Sequence, residues 1–331
     1  MQAFEYASPA TSADALKALS GDDAAALSGG TDLISRMKDY VTSPKRVVYL
    51  KDVKELSGIS WDAKTGLTIG AGTRLADVVA HKGIAEHLPA LRQAALEVGT
   101  PQIKNMASVG GNLLQRPRDW YYRAGNGLIA MKDGKSLLRD GDNRYASIFL
   151  TDGNALFVSP SSLAVPLIAL GAKATILGEK GERTIDVEDL YQVPKSTKDS
   201  ELTIAPGELL TKIVIPPGVG KNASYEVRQK AAHDWPLILC SVNLKTDEGG
   251  TVVRDSRVVL YGVAPIPWRS EAVEKSINGQ AINMQTAEAA GAAAVEGAKP
   301  LSMNGYKVAL TRTVVKRALL AAIGNRYWEE A

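Results

Sequence analysis

The chain has 331 residues, 45% of them hydrophobic and 23% charged, which is enough for two or three domains around sizeable cores. Its formal net charge of +3 is spread without a basic block, so composition gives no reason to expect nucleic acid. No run of about eighteen uncharged apolar residues occurs, and the first thirty residues lack the basic-then-apolar order of an export signal. The expectation is a cytoplasmic protein with no signal of its own and no direct membrane insertion.

In chain order, 13–19 (ADALKAL) reads as a short helix, Ala24 to Leu27 as a buried strand, and Asp32 to Met37 as a helix start with Leu33, Ile34 and Met37 on one face. PKRVVYLKDV follows as a strand and closes a small α/β unit near residue 52. GLTIGAGTRLADVVAH reads as strand, turn and a helix capped by Thr73, and LPALRQAALEVG as a helix ending at Gly99. The segment from Thr100 to Gly134 reads mostly as loop with short helical pieces. NALFVS and AKATILG read as strands around the apolar helix SSLAVPLIALG, and ELLTKIVIP is a further strand before PPGVG, the best domain boundary. Beyond it, ASYEVRQKA and PLILCSVNLKTDEGGTVVRDSRVVLYGVA read as long strands with a hairpin at DEGG, and helices at Met284 to Gly297 and Lys307 to Gly324 close the chain.

One thiol, Cys240, forms no internal disulfide and no four-cysteine cluster, and reads as a small buried hydrophobe on an apolar strand. His81, His87 and His233 make no ligand pair, so no metal site is expected in the chain. Redox chemistry then has to come from an organic cofactor or from another chain.

The candidate chemistry lies in glycine loops. In LSGGTDL, Gly29 and Gly30 let the backbone turn and a ligand approach the amides, and successive N–H groups with a following helix favour an anion such as a diphosphate. ASVGGNLLQ repeats the pattern at Gly110 and Gly111, with Ser108 and Asn112 offering a hydroxyl and an amide, so that two loops would pinch one diphosphate. Each loop alone also reads as a turn that needs glycine. A third loop, GAGTRL, has Leu75 where a dinucleotide fingerprint needs glycine. The run Trp120, Tyr121, Tyr122 reads as loop packing or a partner interface before a ring-stacking site, and Arg116, Arg118 and Arg123 beside it as a solvated face before a phosphate or carboxylate site.

Taken in order, LSGGTDLISRM, TIGAGTRLADV, ASVGGNLLQRPRDWYYR, FVSPSSLAVPLIALGA, PGELLTKIVIP and LYGVAPIPWRSEAVEKSINGQ resemble the FAD-binding medium subunit of the xanthine dehydrogenase and molybdenum hydroxylase family, and most of all the flavin subunits of bacterial aldehyde oxidoreductases. The resemblance implies an α+β fold: a vanillyl-alcohol-oxidase-type (PCMH-type) FAD-binding domain of two α+β subdomains, 1–52 and 53–218, followed by a small α+β domain of antiparallel sheet and helices, 219–331. It assigns FAD to Leu27, Ser28, Gly29, Gly30, Thr31, Asp32 and Leu33, to Ser108, Gly110, Gly111 and Asn112, and to Val158, Ser159, Ser161 and Ser162.

The resemblance further implies an oxidoreductase subunit of a heterotrimer. Its large partner would carry molybdopterin and its small partner two [2Fe-2S] clusters, with an external acceptor taking the electrons and export possible only with a partner. It implies no catalytic acid or base here. Three positions depart from the family pattern. Ser162 stands where relatives commonly have aspartate. Glu226 stands where a lysine often lies near the flavin, a charge reversal that Arg228 or Lys230 would have to compensate. Asp119 stands where relatives with a [4Fe-4S] cluster have cysteine, so no such cluster is expected. An FAD-free scaffold and a stand-alone flavin or nicotinamide oxidoreductase are the other readings; no base or nucleophile constellation supports the latter.

Overall fold

The computed structural model describes every residue except Asp22, Ala232, Glu330 and Ala331. The chain opens with β1 (Glu5–Ala7), α1 (Ser12–Leu19), β2 (Ala24–Leu27), α2 (Leu33–Lys38) and β3 (Arg46–Tyr49). The strands form a parallel sheet with β3 in the middle, Val47 lying opposite both Tyr6 and Ala25. Parallel neighbours need crossovers, and the two helices supply them. The Thr11 hydroxyl accepts from the Asp14 amide at 3.1 Å to start α1. Leu33 and Met37 bury against Val47 while Ile34 stays half-buried. In this thin sheet β2 is half-buried too, not the buried strand its apolar sequence suggests.

A larger sheet follows. Its strands are β4 (Ile59–Asp62) and β5 (Gly66–Gly70), then, far along the chain, β8 (Lys173–Gly178), β9 (Gly181–Asp186) and β10 (Leu209–Ile215). They pair antiparallel in the order β4-β5-β10-β8-β9. Between β5 and β8 run α3 (Leu75–Ala80), α4 (Lys82–His87), α5 (Pro89–Glu97), α6 (Pro101–Met106), α7 (Val109–Leu113), α8 (Trp120–Arg123), a two-residue hairpin of β6 (Met131–Lys132) and β7 (Lys135–Ser136), α9 (Leu137–Asp140) and α10 (Ala164–Ala169). Leu67 and Ile69 alternate into the core with Leu75, Val78, Leu91 and Ile213, each buried aliphatic side chain worth about 2 kcal/mol of transfer free energy. All six residues of α10 are buried, because it packs between α5, the turn at 187–190 and strands of the next domain.

Two local expectations fail. Thr73 does not cap α3; its hydroxyl exchanges bonds with the Gly58 carbonyl and amide, both at 3.0 Å, so it ties the β5 turn to the strand before it. NALFVS is not a strand. Its backbone bonds outward instead, the Leu156 carbonyl accepting from Ser147 and the Ser159 amide donating to Ala264, which makes this segment a bridge between domains.

After Pro216, β11 (Lys221–Val227), β12 (Ile238–Thr246), β13 (Val253–Tyr261) and β14 (Trp268–Arg269) form an antiparallel sheet backed by α11 (Glu271–Ile277), α12 (Met284–Ala293) and α13 (Tyr306–Ala322). The Asp247 carboxylate accepts from the Thr251 and Val252 amides and closes the β12–β13 turn. The two large parts are joined by polar bonds. The Asn222 amide donates to the His87 and Gly220 carbonyls and its oxygen accepts from the Ala90 amide. Fully buried Lys307 donates to the carbonyls of Tyr145, Ala146 and Gly262 at 2.7–2.8 Å. Burial pushes its ammonium down to about 7. No helix among the described residues is long and apolar enough to cross a membrane.

Candidate functional site

The chain leaves β2 into Ser28–Asp32, and none of the amides of Gly29, Gly30, Thr31 and Asp32 donates to another described residue. Gly30 sits at φ +72°, which a side chain rarely adopts. Gly29 is bare for a different reason than ligand access: a Cβ there would fall 2.0 Å from the Met106 carbonyl oxygen. The first loop therefore lies on the segment that leads into the second. Leu27 and Leu33, at its two ends, pack into the small sheet's core.

The second loop differs from its sequence reading. It is one helical turn, α7, and its amides are engaged: Val109 donates to the Thr73 carbonyl, Gly110 to Ala71, Gly111 to the Ser108 hydroxyl and Asn112 to the Ser108 carbonyl. It offers no second nest of free amides. Gly110 is needed for packing, since a Cβ would lie 2.9 Å from that of Ala71. Gly111, by contrast, turns a bare face to a cavity of about 220 Å³.

That cavity is walled by Thr31, Gly111, Asn112, Ser162 and Gln115 on one side and by Glu97 and residues 233–236 on the other. Asn112 is fixed there, its oxygen accepting from the Ser161 hydroxyl at 2.9 Å and the Leu163 amide at 3.2 Å. Ser161 is thus consumed inside the chain, also accepting from Ala164. Gln115, which the sequence reading passed over, donates to the Asn112 and Pro160 carbonyls and ties α7 to the segment that carries Ser161 and Ser162. A second cavity of about 320 Å³ adjoins the first and shares Arg118, Asp234, Trp235 and Pro236 with it. Phe157, Trp120, Tyr145 and Tyr261, with aliphatic Val158, give it a largely aromatic lining.

Two buried hydroxyls, Ser28 Oγ at the start of the first loop and Ser159 Oγ next to Val158, have no partner among the described residues. Buried polar atoms are nearly always satisfied, so these two are exceptions, each in a segment that reaches a cavity a residue or a few away, at Val158 and at Thr31. Free amides in the first loop, with the Asn112 carboxamide and the Ser162 hydroxyl on the same wall and aromatic and apolar surface beyond, suit an extended ligand that is anionic and hydroxyl-rich at one end and planar at the other.

The arginines are not a solvated face. Asp32 accepts from Arg123 at 2.7 Å and Arg36 at 3.0 Å, with Arg118 at 3.4 Å, and also from the Arg116 amide at 3.2 Å. Burial alone would raise the Asp32 carboxyl, but the three guanidiniums outweigh it and hold the group below its ordinary range. Asp32 is therefore an internal ion-pair centre that clamps 116–123 onto the first loop, 84 residues away in sequence. Arg116 pairs with buried Glu201 at 2.6 Å. Of the aromatic run, Tyr122 is buried with Leu128 and Phe157, the Tyr121 hydroxyl accepts from the Asp142 amide, and Trp120 stacks edge-on against Tyr145 at 5.5 Å.

Glu226, at the end of β11, does not reach the cavity surface. Its carboxyl is buried, Oε1 has no hydrogen bond, and Arg228 at 3.6 Å is held more closely by Glu97. Burial, with Glu97 and Asp234 adding repulsion against the pull of Arg228, pushes it up to about 7. Among the described residues, no group of three or more His, Cys, Asp or Glu could hold a metal ion.

Residues 2–218 match the model of the FAD-binding domain in molybdopterin dehydrogenase, and 223–322 that of the CO dehydrogenase flavoprotein C-terminal domain. The chain is 30% identical to the aldehyde oxidoreductase FAD-binding subunit of Escherichia coli, over 97% of this chain and 99% of that one. It is 29% identical to the carbon monoxide dehydrogenase medium chain of Afipia carboxidovorans, over 96% and 95%. Among solved structures, reconstituted CO dehydrogenase from Oligotropha carboxidovorans matches 98% of this chain and 99% of that one, with a TM-score of 0.76 at 25% identity.

Proposed function

We propose, on the premise that this chain belongs to the family of FAD-binding subunits of molybdopterin dehydrogenases, that it is the electron-transfer flavin subunit of a molybdenum hydroxylase complex. Its partners would be a large molybdopterin subunit and a small [2Fe-2S] subunit, and an external acceptor would take the electrons. The observation that supports the reading best is the convergence of both glycine loops, through Thr31, Gly111 and Asn112, on one cavity.

The residues present fit an FAD. The free amides of Gly29 to Asp32 would take the diphosphate, aided by the positive end of the turn into α2. Gly111 gives that end of the cofactor room, and Asn112 and Ser162 offer polar groups to its hydroxyls, with the unpartnered Ser159 hydroxyl next to Val158. Val158 would line the aromatic cavity beside it. Ser162 bonds more weakly than the aspartate common in relatives. Ser108, Gly110 and Ser161 act one step back, by holding α7 and Asn112 in place. Bound FAD supplies the ability to accept electrons singly from clusters and deliver them singly or in pairs. The chain's own part is to bind, orient and electrically tune the ring.

Co-expression with the neighbouring genes tests this. A yellow complex whose visible absorbance bleaches on adding substrate is the expected outcome. A colourless chain that still co-purifies with cluster and molybdenum subunits would favour the scaffold, and a flavoprotein that turns over substrate alone would sink both.

A further inference from the structure

Arg118 stands where the two cavities meet and lines both, together with Asp234, Trp235 and Pro236. Its guanidinium lies over the Trp235 ring at 4.8 Å. One terminal nitrogen leans on the first glycine loop, 3.5 Å from the Thr31 carbonyl and 3.4 Å from Asp32. Neither contact is a short bond, and Asp32 is already engaged by Arg36 and Arg123. The Nε of Arg118 is buried with no partner among the described residues.

An unpaired N–H on a buried cation is costly unless a ligand fills it. The local charge balance points the same way. Four guanidiniums, Arg36, Arg116, Arg118 and Arg123, meet two paired carboxylates, Asp32 and Glu201. The other acids that line the two cavities are engaged elsewhere: Asp234 accepts from the Lys230 and Trp235 amides and Asp119 from the Tyr122 amide, while Asp142 pairs with Arg144 and Glu97 with Arg228. The excess positive charge therefore sits next to the free amides of Gly29 to Asp32. The second loop cannot share that role, because its amides are taken.

We propose that Arg118 is a direct ligand for the diphosphate of a flavin dinucleotide, and so sets this chain's preference for FAD over flavins that lack a diphosphate. The inference rests on the flavin reading above. A guanidinium presents several N–H groups in one plane, which matches phosphate oxygens, and its stack on Trp235 keeps that plane at the junction.

The test uses the full chain freed of flavin and titrated with FAD and with riboflavin, followed by flavin fluorescence. Arg118→Gln is expected to weaken FAD by about 10- to 100-fold, the loss of a charge-assisted bond to a desolvated anion, and riboflavin by no more than about twofold. Inorganic pyrophosphate should compete with FAD on the wild-type chain, and the variant should need correspondingly more. Arg118→Lys keeps the charge facing Asp32 but not the planar Nε donor. It covers the case in which the glutamine variant does not fold, and should lose several-fold for FAD alone. Equal losses for FAD and riboflavin would overturn the inference, as would unchanged FAD affinity in both variants. A wild-type chain that binds neither flavin would overturn the flavin reading itself, a result that cannot be confused with the other two.

Discussion

Replacing Glu226 by glutamine should make the protein more stable at alkaline pH and leave it unchanged in acid. The Glu226 carboxyl is buried at the end of β11 with an unpartnered oxygen, and its nearest cation is shared with Glu97. An ordinary glutamate titrates near 4.5, whereas this one is pushed up to about 7. Between those values the native chain holds a proton that the unfolded chain has lost, so stability falls as pH rises through the interval and the full cost is present above 7. At about 1.4 kcal/mol per pH unit, the interval is worth about 3 kcal/mol. Glutamine keeps the shape and carries no charge. Its melting curve should coincide with the wild type near pH 4.5 and lie roughly 4 to 5 °C higher at pH 8, since the entropy of unfolding scales with chain length. Thermal melts across pH 4.5–8.5, both chains in the same buffers, measure this. A constant gap at all pH values, or a variant less stable at pH 8, would refute the burial argument.

The glycines of the two loops should separate by cause. Gly29→Ala must push the Met106 carbonyl away and should cost 3 kcal/mol or so, read by denaturant unfolding. Gly111→Ala meets only the Ser108 hydroxyl, at 3.0 Å, so its melting temperature should hardly move while its affinity for FAD falls. Lys307→Met strips three buried carbonyls of a charged donor and should cost about 3 to 5 kcal/mol in chemical denaturation. Burial raises the Cys240 thiol far above its ordinary range, so a maleimide should label it only as the chain unfolds.

Much of the architecture was legible because its signals are local. Alternating Leu67 and Ile69, the apolar run of α10 and the DEGG turn each specify an element within a few residues. What escaped was decided at long range. NALFVS has a strand's composition, yet its backbone groups find partners at 147 and 264, outside any ladder. Arg116, Arg118 and Arg123 look like a surface charge run until Asp32 is brought up from 84 residues away to neutralise part of it. Gln115 carried no motif at all, because its task of joining 112 to 160 exists only once both loops are in place.

The two glycine loops show why a motif fixes a place before it fixes a role. Both read as nests for one diphosphate, but in the second the amides are spent on Thr73, Ala71 and Ser108. An anion at the first loop then needs another donor, and Arg118, which lines the cavity beside that loop, has an unpartnered N–H. The opposite wall carries acid: Glu97 and Asp234 at the cavity, with Glu226 behind them near half-protonation at neutral pH. A diphosphate brought between these walls adds negative charge, which favours the protonated form of Glu226 further. Binding should therefore draw in a fraction of a proton around pH 7, and FAD affinity should fall as pH rises through that value. The Glu226→Gln chain should show smaller effects, what remains coming from Lys307, which lines the aromatic cavity and is pushed down to about 7.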